Sequence, residues 1–240
     1  MIENPKTEGT HIIDAIPQTG LCPMKCSECY YNDDGFYLSK DVPNVPTSVE
    51  ALGRIVRVNS GHDSNIDRTN VMNVTQIFRD RFYNTCIPIL HFGRPTILTI
   101  NGRDTDNSYV SPHKIEGSLE TLMALRFRVN TWNLPLLENA LNEYFSYGLH
   151  APFILTPMRY KSVEAIPETH RKFYTRRKHI VNDWWCLTEE GFLLVKSLMR
   201  YPSAFLCGNP FDNSSLCSQC RLCEHFYVSS MNKILGVRRY

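Results

Sequence analysis

The sequence predicts an α/β fold in which helices pack on a parallel β-sheet. Short apolar runs typical of strands alternate with longer segments whose apolar residues recur at helical spacing, and this alternation indicates a parallel sheet. Several predicted strands also end in a polar side chain, and parallel α/β folds bind ligands beyond the carboxyl ends of their strands. No apolar run approaches the roughly 18 residues of a membrane span, so none is predicted.

Each predicted strand is a short apolar run bounded by turn residues. In the fourth strand, Leu125 and Phe127 alternate with Arg126 and Arg128, which is the period of two expected of a strand with two different faces. We predict six strands, at residues 11–16, 55–59, 95–101, 125–131, 152–159 and 203–207.

The predicted helices lie between these strands and carry start or stop signals. Thr47 and Glu50 form a capping box that predicts a short helix. A longer helix is predicted at roughly residues 65–83 from its near-helical apolar spacing. The helix after the fourth strand is expected to end at Gly148, and Thr188 is the predicted cap of the last one before the sixth strand.

Three cysteines, Cys22, Cys26 and Cys29, follow the first strand at C-x3-C-x2-C spacing. Thiolates this close on one loop can bind a single metal centre, and thiolates are the protein ligands of iron–sulfur clusters. Because no fourth cysteine is near in the sequence, a four-iron cluster bound here would keep one iron open. A structural zinc site, which normally has four ligands, is the alternative.

With Tyr30 and Tyr31 behind it, this cysteine loop resembles that of radical S-adenosylmethionine (SAM) enzymes. The resemblance covers roughly residues 8–208 and implies a partial (β/α)6 barrel. It also implies a [4Fe-4S] cluster whose open iron binds SAM, an electron donor such as flavodoxin or ferredoxin, and cleavage of SAM to a 5′-deoxyadenosyl radical that abstracts hydrogen from a substrate. Glu28 departs from the family, which usually has an aromatic residue at that place.

Polar residues at the strand ends form the predicted SAM and substrate pocket. In the family, a Gly-Gly-Glu-type motif after the second strand often binds the SAM amino group, and Gly61 and Asp63 occupy the matching place. Asp63 or Ser64 can equally be an ordinary helix cap. By the same resemblance, Arg128 and Asn130 are candidates for binding the SAM carboxylate or ribose. The predicted cofactor-binding residues are Gly61, Asp63, Ser64, Asn101, Arg128, Asn130 and Thr156.

A second group of cysteines, Cys207, Cys217, Cys220 and Cys223, has the spacing C-x9-C-x2-C-x2-C. Four thiolates saturate a metal site. Radical SAM enzymes that modify peptides or proteins often carry an auxiliary cluster in a cysteine-rich C-terminal (SPASM/twitch-like) segment, and residues 209–240 resemble it in placement. The resemblance implies a second [4Fe-4S] cluster and slightly favours a peptide or protein substrate, with zinc as the alternative metal.

Composition sets broader limits. The net charge of +2 demands no nucleic-acid partner, and seven of the nine cysteines fall in the two groups, which favours metal binding in a reducing compartment. The N-terminus has no secretory signal pattern, so a cytoplasmic protein is expected. Cys86 and Cys186 are interpreted as plain buried thiols, with an extra metal ligand as the less favoured alternative for Cys186. The rival function is a non-catalytic zinc or iron–sulfur module whose basic run at residues 170–179 binds nucleic acid, although such a run is more often a solvated surface segment.

Overall fold

The protein is an α/β structure built on a seven-stranded parallel sheet. The computed structural model describes residues 1–26, 29–32, 36–100, 110–149, 151–178, 183–201, 203–208 and 216–236. The sheet strands, side by side in chain order, are β1 (Ile12–Ala15), β2 (Ile55–Val58), β3 (Arg81–Thr85), β4 (Thr96–Ile100), β5 (Leu122–Val129), β6 (Phe153–Pro157) and β9 (Ala204–Leu206). An antiparallel hairpin joins β7 (Tyr174–Lys178) and β8 (Asp183–Leu187). The α-helices are α1 (Arg68–Thr75), α2 (Leu134–Ser146), α3 (Glu189–Lys196), α4 (Cys217–Cys220) and α5 (Leu222–Ile234).

Helices cover both faces of the sheet. On one face, Leu125 and Phe127 of β5 pack with Leu141 of α2 and Phe192 of α3, and α1 packs on the same side of the first strands. On the other face, α5 inserts aromatic side chains against the apolar residues that alternate with these, such as Ala124 of β5. We call the two sides the α1–α3 face and the α5 face.

The α5 face has an apolar half and a polar half. Phe226 and Tyr227 of α5 cover the apolar half, and burying a large apolar side chain contributes roughly 1.5–3 kcal/mol. Every second residue of a strand lies on the same face, so the next residues of each strand on this face lie nearer its carboxyl end. These residues are polar. The apolar half is formed by Ile55, Phe82, Ile97, Ala124, Ile154 and Phe205. The polar half is formed by Asp14, Arg57, Asn84, Thr99, Arg126 and Thr156.

The sequence-based α/β assignment with a parallel sheet is confirmed, and each predicted strand overlaps an observed one. The predicted helix at residues 65–83 is wrong in its second half. Only Arg68–Thr75 is helical, and Arg81–Thr85 forms β3, so the parallel sheet has seven strands rather than six. Phe82 and Tyr83 lie on opposite faces of the sheet and are fully buried there, which is the pattern of a central strand.

Of the two predicted helix starts, at Thr47 and at Thr188, only the second begins a helix. The capping-box hydrogen bonds exist: the Thr47 N–H donates to the Glu50 carboxylate over 2.7 Å, and the Glu50 N–H donates to Thr47 Oγ1 over 3.2 Å. They close a turn, and no helix follows. Thr188 does cap α3, accepting a 3.1 Å hydrogen bond from the Gly191 N–H.

Sequence reading missed the β7–β8 hairpin and α5. The basic run falls partly on a 3₁₀ turn (Glu168–Phe173) and on β7, where Arg171, Lys172 and Arg176 are exposed to solvent. Trp185 of β8 pairs through its backbone with Tyr160, which ties the hairpin to the segment after β6. None of the helices in the described part of the chain is long and apolar enough to cross a membrane.

Candidate metal and cofactor site

The N-terminal cysteine loop follows the carboxyl end of β1. Asn32 holds its two ends together: the Cys22 N–H donates to Asn32 Oδ1 over 3.1 Å, and Asn32 Nδ2 donates to the Cys22 carbonyl over 3.2 Å. The Cys22 side chain is buried, and its sulfur accepts hydrogen bonds from the N–H groups of Met24 and Asp63. The loop is therefore anchored to the β2–α1 turn, which contains Asp63.

A fourth cysteine lies in this region. Cys86 follows the last residue of β3, and its thiol donates a hydrogen bond to the Cys26 sulfur. This contact lowers the pKa of Cys26 to about 6, against the effect of burial, while it raises the pKa of Cys86. The interpretation of Cys86 as a plain buried thiol is incomplete, because it overlooked the contact with a predicted metal ligand.

Asp63 is buried and its carboxylate is occupied by protein donors. Its Oδ1 accepts from the Asn65 N–H and from Thr85 Oγ1, each over 2.8 Å, and its Oδ2 accepts from the Cys86 N–H over 2.5 Å. A carboxylate has about four acceptor positions, and three protein donors already bond to this one. These contacts favour the capping role over SAM binding, and they join the β2–α1 turn to the end of β3.

We expect Asp63→Ala to destabilise the fold more than it weakens SAM binding. Each buried donor left without a partner costs about 1–3 kcal/mol, and the substitution orphans the Asn65 and Cys86 N–H groups together. Thermal melting measures the stability loss, and a SAM titration of the reconstituted variant measures binding. A large loss of SAM affinity with an unchanged melting temperature would assign the carboxylate to SAM instead.

Gly61 allows the cysteine loop and the β2–α1 turn to pack closely. A Cβ atom at this position would lie 2.3 Å from Cδ2 of Tyr31, whose hydroxyl donates to the Gly20 carbonyl over 3.1 Å. The Tyr31 ring therefore occupies the space that a side chain at position 61 would fill. The contact between SAM and Gly61 remains a prediction.

Gly61→Ala is expected to lower the free energy of unfolding by about 1–3 kcal/mol, the usual cost of overpacking a filled site. Chemical denaturation measures this change. The matched control is the same substitution in a Tyr31→Ala background, where the ring is absent and the added methyl should cost little. Equal losses in both backgrounds would exclude the clash as the cause.

The other predicted cofactor residues differ in how much of their polar surface is free. Ser64 Oγ accepts from Asn59 Nδ2 over 3.1 Å, and Asn130 Oδ1 accepts from the N–H groups of Trp132 and Asn133 over 3.2 and 2.8 Å, so both stabilise turns. In contrast, Thr156 Oγ1 is buried without any hydrogen-bond partner. Asn101 lies outside the described residues.

Two further groups support a ligand site at this end of the α5 face. Asn59 Oδ1 is also buried without a hydrogen-bond partner, and Asn59 is one of the polar strand ends that the sequence assigned to the pocket as a set. Nε of Arg128 donates to the Met158 sulfur over 2.9 Å, and its positive charge is near enough to Cys26 to lower that thiol's pKa. Buried polar atoms are normally satisfied, so the unsatisfied Thr156 Oγ1, on the residue that pairs with Arg128 in the sheet, indicates space for a polar ligand.

A buried ion pair that sequence reading missed lies beneath this region. Arg57 donates to Asp14 from Nε over 2.6 Å and from Nη2 over 3.1 Å. Asn4 and Ser60 each add a 2.8 Å hydrogen bond to the same carboxylate. Burial raises the pKa of Asp14, but Arg57 and these hydrogen bonds outweigh it and hold the pKa below its usual value. The available signal was a charged residue inside the apolar run Ile12–Ala15.

The C-terminal cysteines lie on the α5 face, where Cys207 and Cys223 pack against its apolar half. The Cys207 thiol donates a hydrogen bond to Cys220, which lowers the pKa of Cys220 to about 7 and raises that of Cys207. Burial raises the pKa of Cys223, while Arg126 and Arg57 oppose this rise. The fold thus brings Cys223 near two arginines of the sheet, whose charges oppose the effect of burial on its pKa but do not outweigh it.

The site residues fit a metal centre in the kind of donor that they supply. Both groups offer sulfur, the donor that binds iron–sulfur clusters and structural zinc. Across the described ranges, no three His, Cys, Asp or Glu side chains stand together in an arrangement that could hold a metal ion. The thiols instead form two hydrogen-bonded pairs, Cys26 with Cys86 and Cys207 with Cys220. The assignments of Cys22, Cys26, Cys29, Cys207, Cys217, Cys220 and Cys223 as metal ligands remain predictions.

Comparison with known proteins identified no relative of this chain. No protein-family model, no curated protein and no solved structure matches the chain at a significant level. Any function therefore has to be inferred from the site residues and their surroundings.

Proposed function

We propose that the protein is a radical SAM enzyme whose [4Fe-4S] cluster is held by Cys22, Cys26 and Cys29. The observation that carries the proposal is the position of this loop at the carboxyl end of β1, with Cys26 close to Arg128 of β5. Ligands of parallel α/β folds bind at that edge of the sheet. When bound, the cluster supplies the electron that cleaves SAM and releases a 5′-deoxyadenosyl radical.

The residues of the chain would bind and orient SAM. Arg128 offers a cation for the SAM carboxylate close to Cys26, and the oxygens of Thr156 and Asn59 are free to accept hydrogen bonds from its amino group or ribose. Parallel strands in chain order, with α1–α3 on one face, are the arrangement from which α/β barrels are built. We therefore assign the α5 face to the interior of a partial (β/α)6-type barrel.

The cellular setting follows from the same chemistry. All nine cysteines carry free thiols, which supports a reducing compartment, and we propose the cytoplasm. An electron donor such as flavodoxin or ferredoxin would reduce the cluster. The substrate that we favour is a peptide or protein.

Reductive SAM cleavage tests the proposal. Protein reconstituted with iron and sulfide under anaerobic conditions should be brown, and after reduction it should release 5′-deoxyadenosine from SAM, measured by chromatography. Cys186→Ala should retain the full rate, because Cys186 belongs to neither cysteine group. Fully loaded protein that leaves SAM intact would refute the enzyme function.

We expect the C-terminal cysteines to bind a second metal centre that does not depend on the first. Metal analysis of a variant with Cys22, Cys26 and Cys29 replaced by alanine should find about four iron atoms per chain, the content of one [4Fe-4S] cluster. One zinc per chain would indicate a structural zinc site. If the analysis finds no metal, the C-terminal site is rejected. The matched control replaces Cys217, Cys220 and Cys223 and should lose that metal while keeping the N-terminal centre.

A non-catalytic zinc or iron–sulfur module that binds nucleic acid is the second candidate. The free thiols of the two cysteine groups favour it, because thiolates are also the ligands of structural zinc. Such a protein would be colourless with zinc, or brown but unable to cleave SAM. The SAM cleavage assay separates the two functions.

A further inference from the structure

Three adjacent strands of the sheet are only half-buried on the α5 face near their carboxyl ends. The residues that alternate with the half-buried ones, on the α1–α3 face, are fully buried; they include Leu98, Phe127 and Leu155. Strands in the middle of a parallel sheet are normally covered on both faces, so solvent reaches the sheet here through an opening that α5 leaves uncovered. The half-buried residues, which we call the β4–β6 patch, are Thr99 of β4, Arg126 and Arg128 of β5, and Thr156 of β6.

The β4–β6 patch combines positive charge with hydroxyl groups. The strand register places Thr99 beside Arg126 and Thr156 beside Arg128. Thr156 Oγ1 is buried without a hydrogen-bond partner, and no hydrogen bond among the described residues uses the Thr99 hydroxyl. Because a hydroxyl can donate as well as accept, both threonines can contact an anion that lies over the arginines.

Arg126 and Arg57 lie on the same face but have different partners. Arg57 is neutralised by its two hydrogen bonds to Asp14. Arg126 Nη1 donates to Asn84 Oδ1 over 3.2 Å, and Asn84 Nδ2 donates to the Val58 carbonyl over 3.0 Å, which fixes the orientation of the amide. None of the ion pairs among the described residues includes Arg126. The amide carries no charge, so Arg126 is a positioned cation with most of its N–H donors left for a ligand.

We propose that Arg126, with the Thr99 hydroxyl beside it, binds an anionic oxygen group of the substrate, a carboxylate or a phosphate. A guanidinium matches either group with two parallel hydrogen bonds. Arg128, two positions nearer the carboxyl end of β5, remains for the SAM carboxylate, so the two anions have separate partners. The identity of the ligand as the substrate rests on the proposed function, whereas the binding of an oxyanion at the patch does not.

Calorimetric titration of the reconstituted full chain tests the site. The probes are inorganic phosphate and glutarate, each at constant ionic strength set with sodium chloride. We expect at least one probe to bind saturably to wild type and several-fold more weakly to Arg126→Gln. Binding of phosphate alone identifies a phosphate ligand, and binding of glutarate alone identifies a carboxylate. No saturable binding of either probe, or equal affinity in wild type and Arg126→Gln, would overturn the proposal.

Arg68→Gln is the matched control for this titration. Arg68 is also half-buried, and its Nη1 also donates to an asparagine oxygen, Asn65 Oδ1, over 3.4 Å. It belongs to α1 rather than to the β4–β6 patch. Arg68→Gln should therefore bind the probe with wild-type affinity. A loss equal to that of Arg126→Gln would show that the anion responds only to the total charge of the protein, which would refute a site at Arg126.

A second test uses the wild-type chain, so it does not depend on how a variant folds. The reconstituted protein is treated with phenylglyoxal, which modifies accessible arginines, and peptide mass spectrometry measures the modification. The probe should protect Arg126 several-fold and leave Arg68 equally reactive. An Arg126 that is unreactive before any probe is added would already be paired, for example with a negatively charged metal centre near Cys223, and would overturn the proposal.

These tests separate failure of this proposal from failure of the proposed function, because neither readout requires SAM cleavage. If SAM is left intact but the probe binds at Arg126, the enzyme function fails and the anion site stands. If SAM is cleaved, a SAM titration assigns the ligand: Arg126→Gln should bind SAM with wild-type affinity. A several-fold loss of SAM affinity in this variant would assign Arg126 to SAM and overturn its role in binding the substrate.

Discussion

We expect the replacement of Cys26 by alanine to abolish SAM cleavage while the protein stays folded. Cys26 is one of the three thiols proposed to hold the catalytic cluster, and it lies beside Arg128, the candidate for the SAM carboxylate. Cys26 belongs to none of the buried apolar clusters of the described residues, so the free energy of unfolding should change little. The expected yield of 5′-deoxyadenosine is the background of the assay without enzyme.

The control for this prediction is Cys186→Ala, which removes a thiol of similar exposure outside the site. Because Cys86 contacts Cys26, iron should be measured on the same samples to show whether the remaining thiols still bind a cluster. Retained iron without SAM cleavage still agrees with the prediction, since the open iron would have changed place. Wild-type amounts of 5′-deoxyadenosine from Cys26→Ala would reject the ligand assignment.

Asp14→Asn is expected to lower the free energy of unfolding by about 3–5 kcal/mol. The substitution leaves the guanidinium of Arg57 buried without its counter-charge, and breaking a buried pair by removing one partner has this cost. Equilibrium denaturation measures the change. A double substitution of Asp14 and Arg57 by leucine should recover much of the loss, because no uncompensated charge remains.

The matched control is the ion pair of Arg176 and Asp183 on the β7–β8 hairpin. Its nitrogen–oxygen distance is 2.6 Å, the same as that of the Asp14 pair, but the Arg176 side chain is 65% exposed. Asp183→Asn should therefore cost at most about 1 kcal/mol, as is usual for a surface pair. Similar losses at both sites would show that burial of Asp14 and Arg57 is not what makes their interaction important.

The Asp14 pair also predicts a dependence of stability on pH. The pKa of Asp14 is lower in the folded protein than its ordinary value of 3.8, so the folded state holds this proton less tightly than the unfolded state does. The stabilisation is present above pH 3.8 and is lost as the pH falls through the folded pKa. Asp14→Asn, which has no titrating group here, should show a shallower loss of stability in that acidic range.

The sequence predicted those strands and helices that a local signal marks, such as alternation of apolar and polar residues or a helix-capping residue. The alternation of Leu125 and Phe127 with arginines identified β5, and Thr188 identified the start of α3. The strand at Arg81–Thr85 was missed because its apolar residues, taken together with Phe78, also match helical spacing. Period alone does not separate a short buried strand from a helix segment.

The sequence by itself determined the α/β class, the parallel sheet and the two cysteine groups, since these depend on spacing within short segments. Only the tertiary structure decided which distant residues meet. The contact between Cys26 and Cys86, the Asp14–Arg57 pair and the packing of α5 on the sheet all arise from the order and register of the strands. Register brings side chains together across dozens of residues, and a local pattern carries no information about which strand will lie alongside.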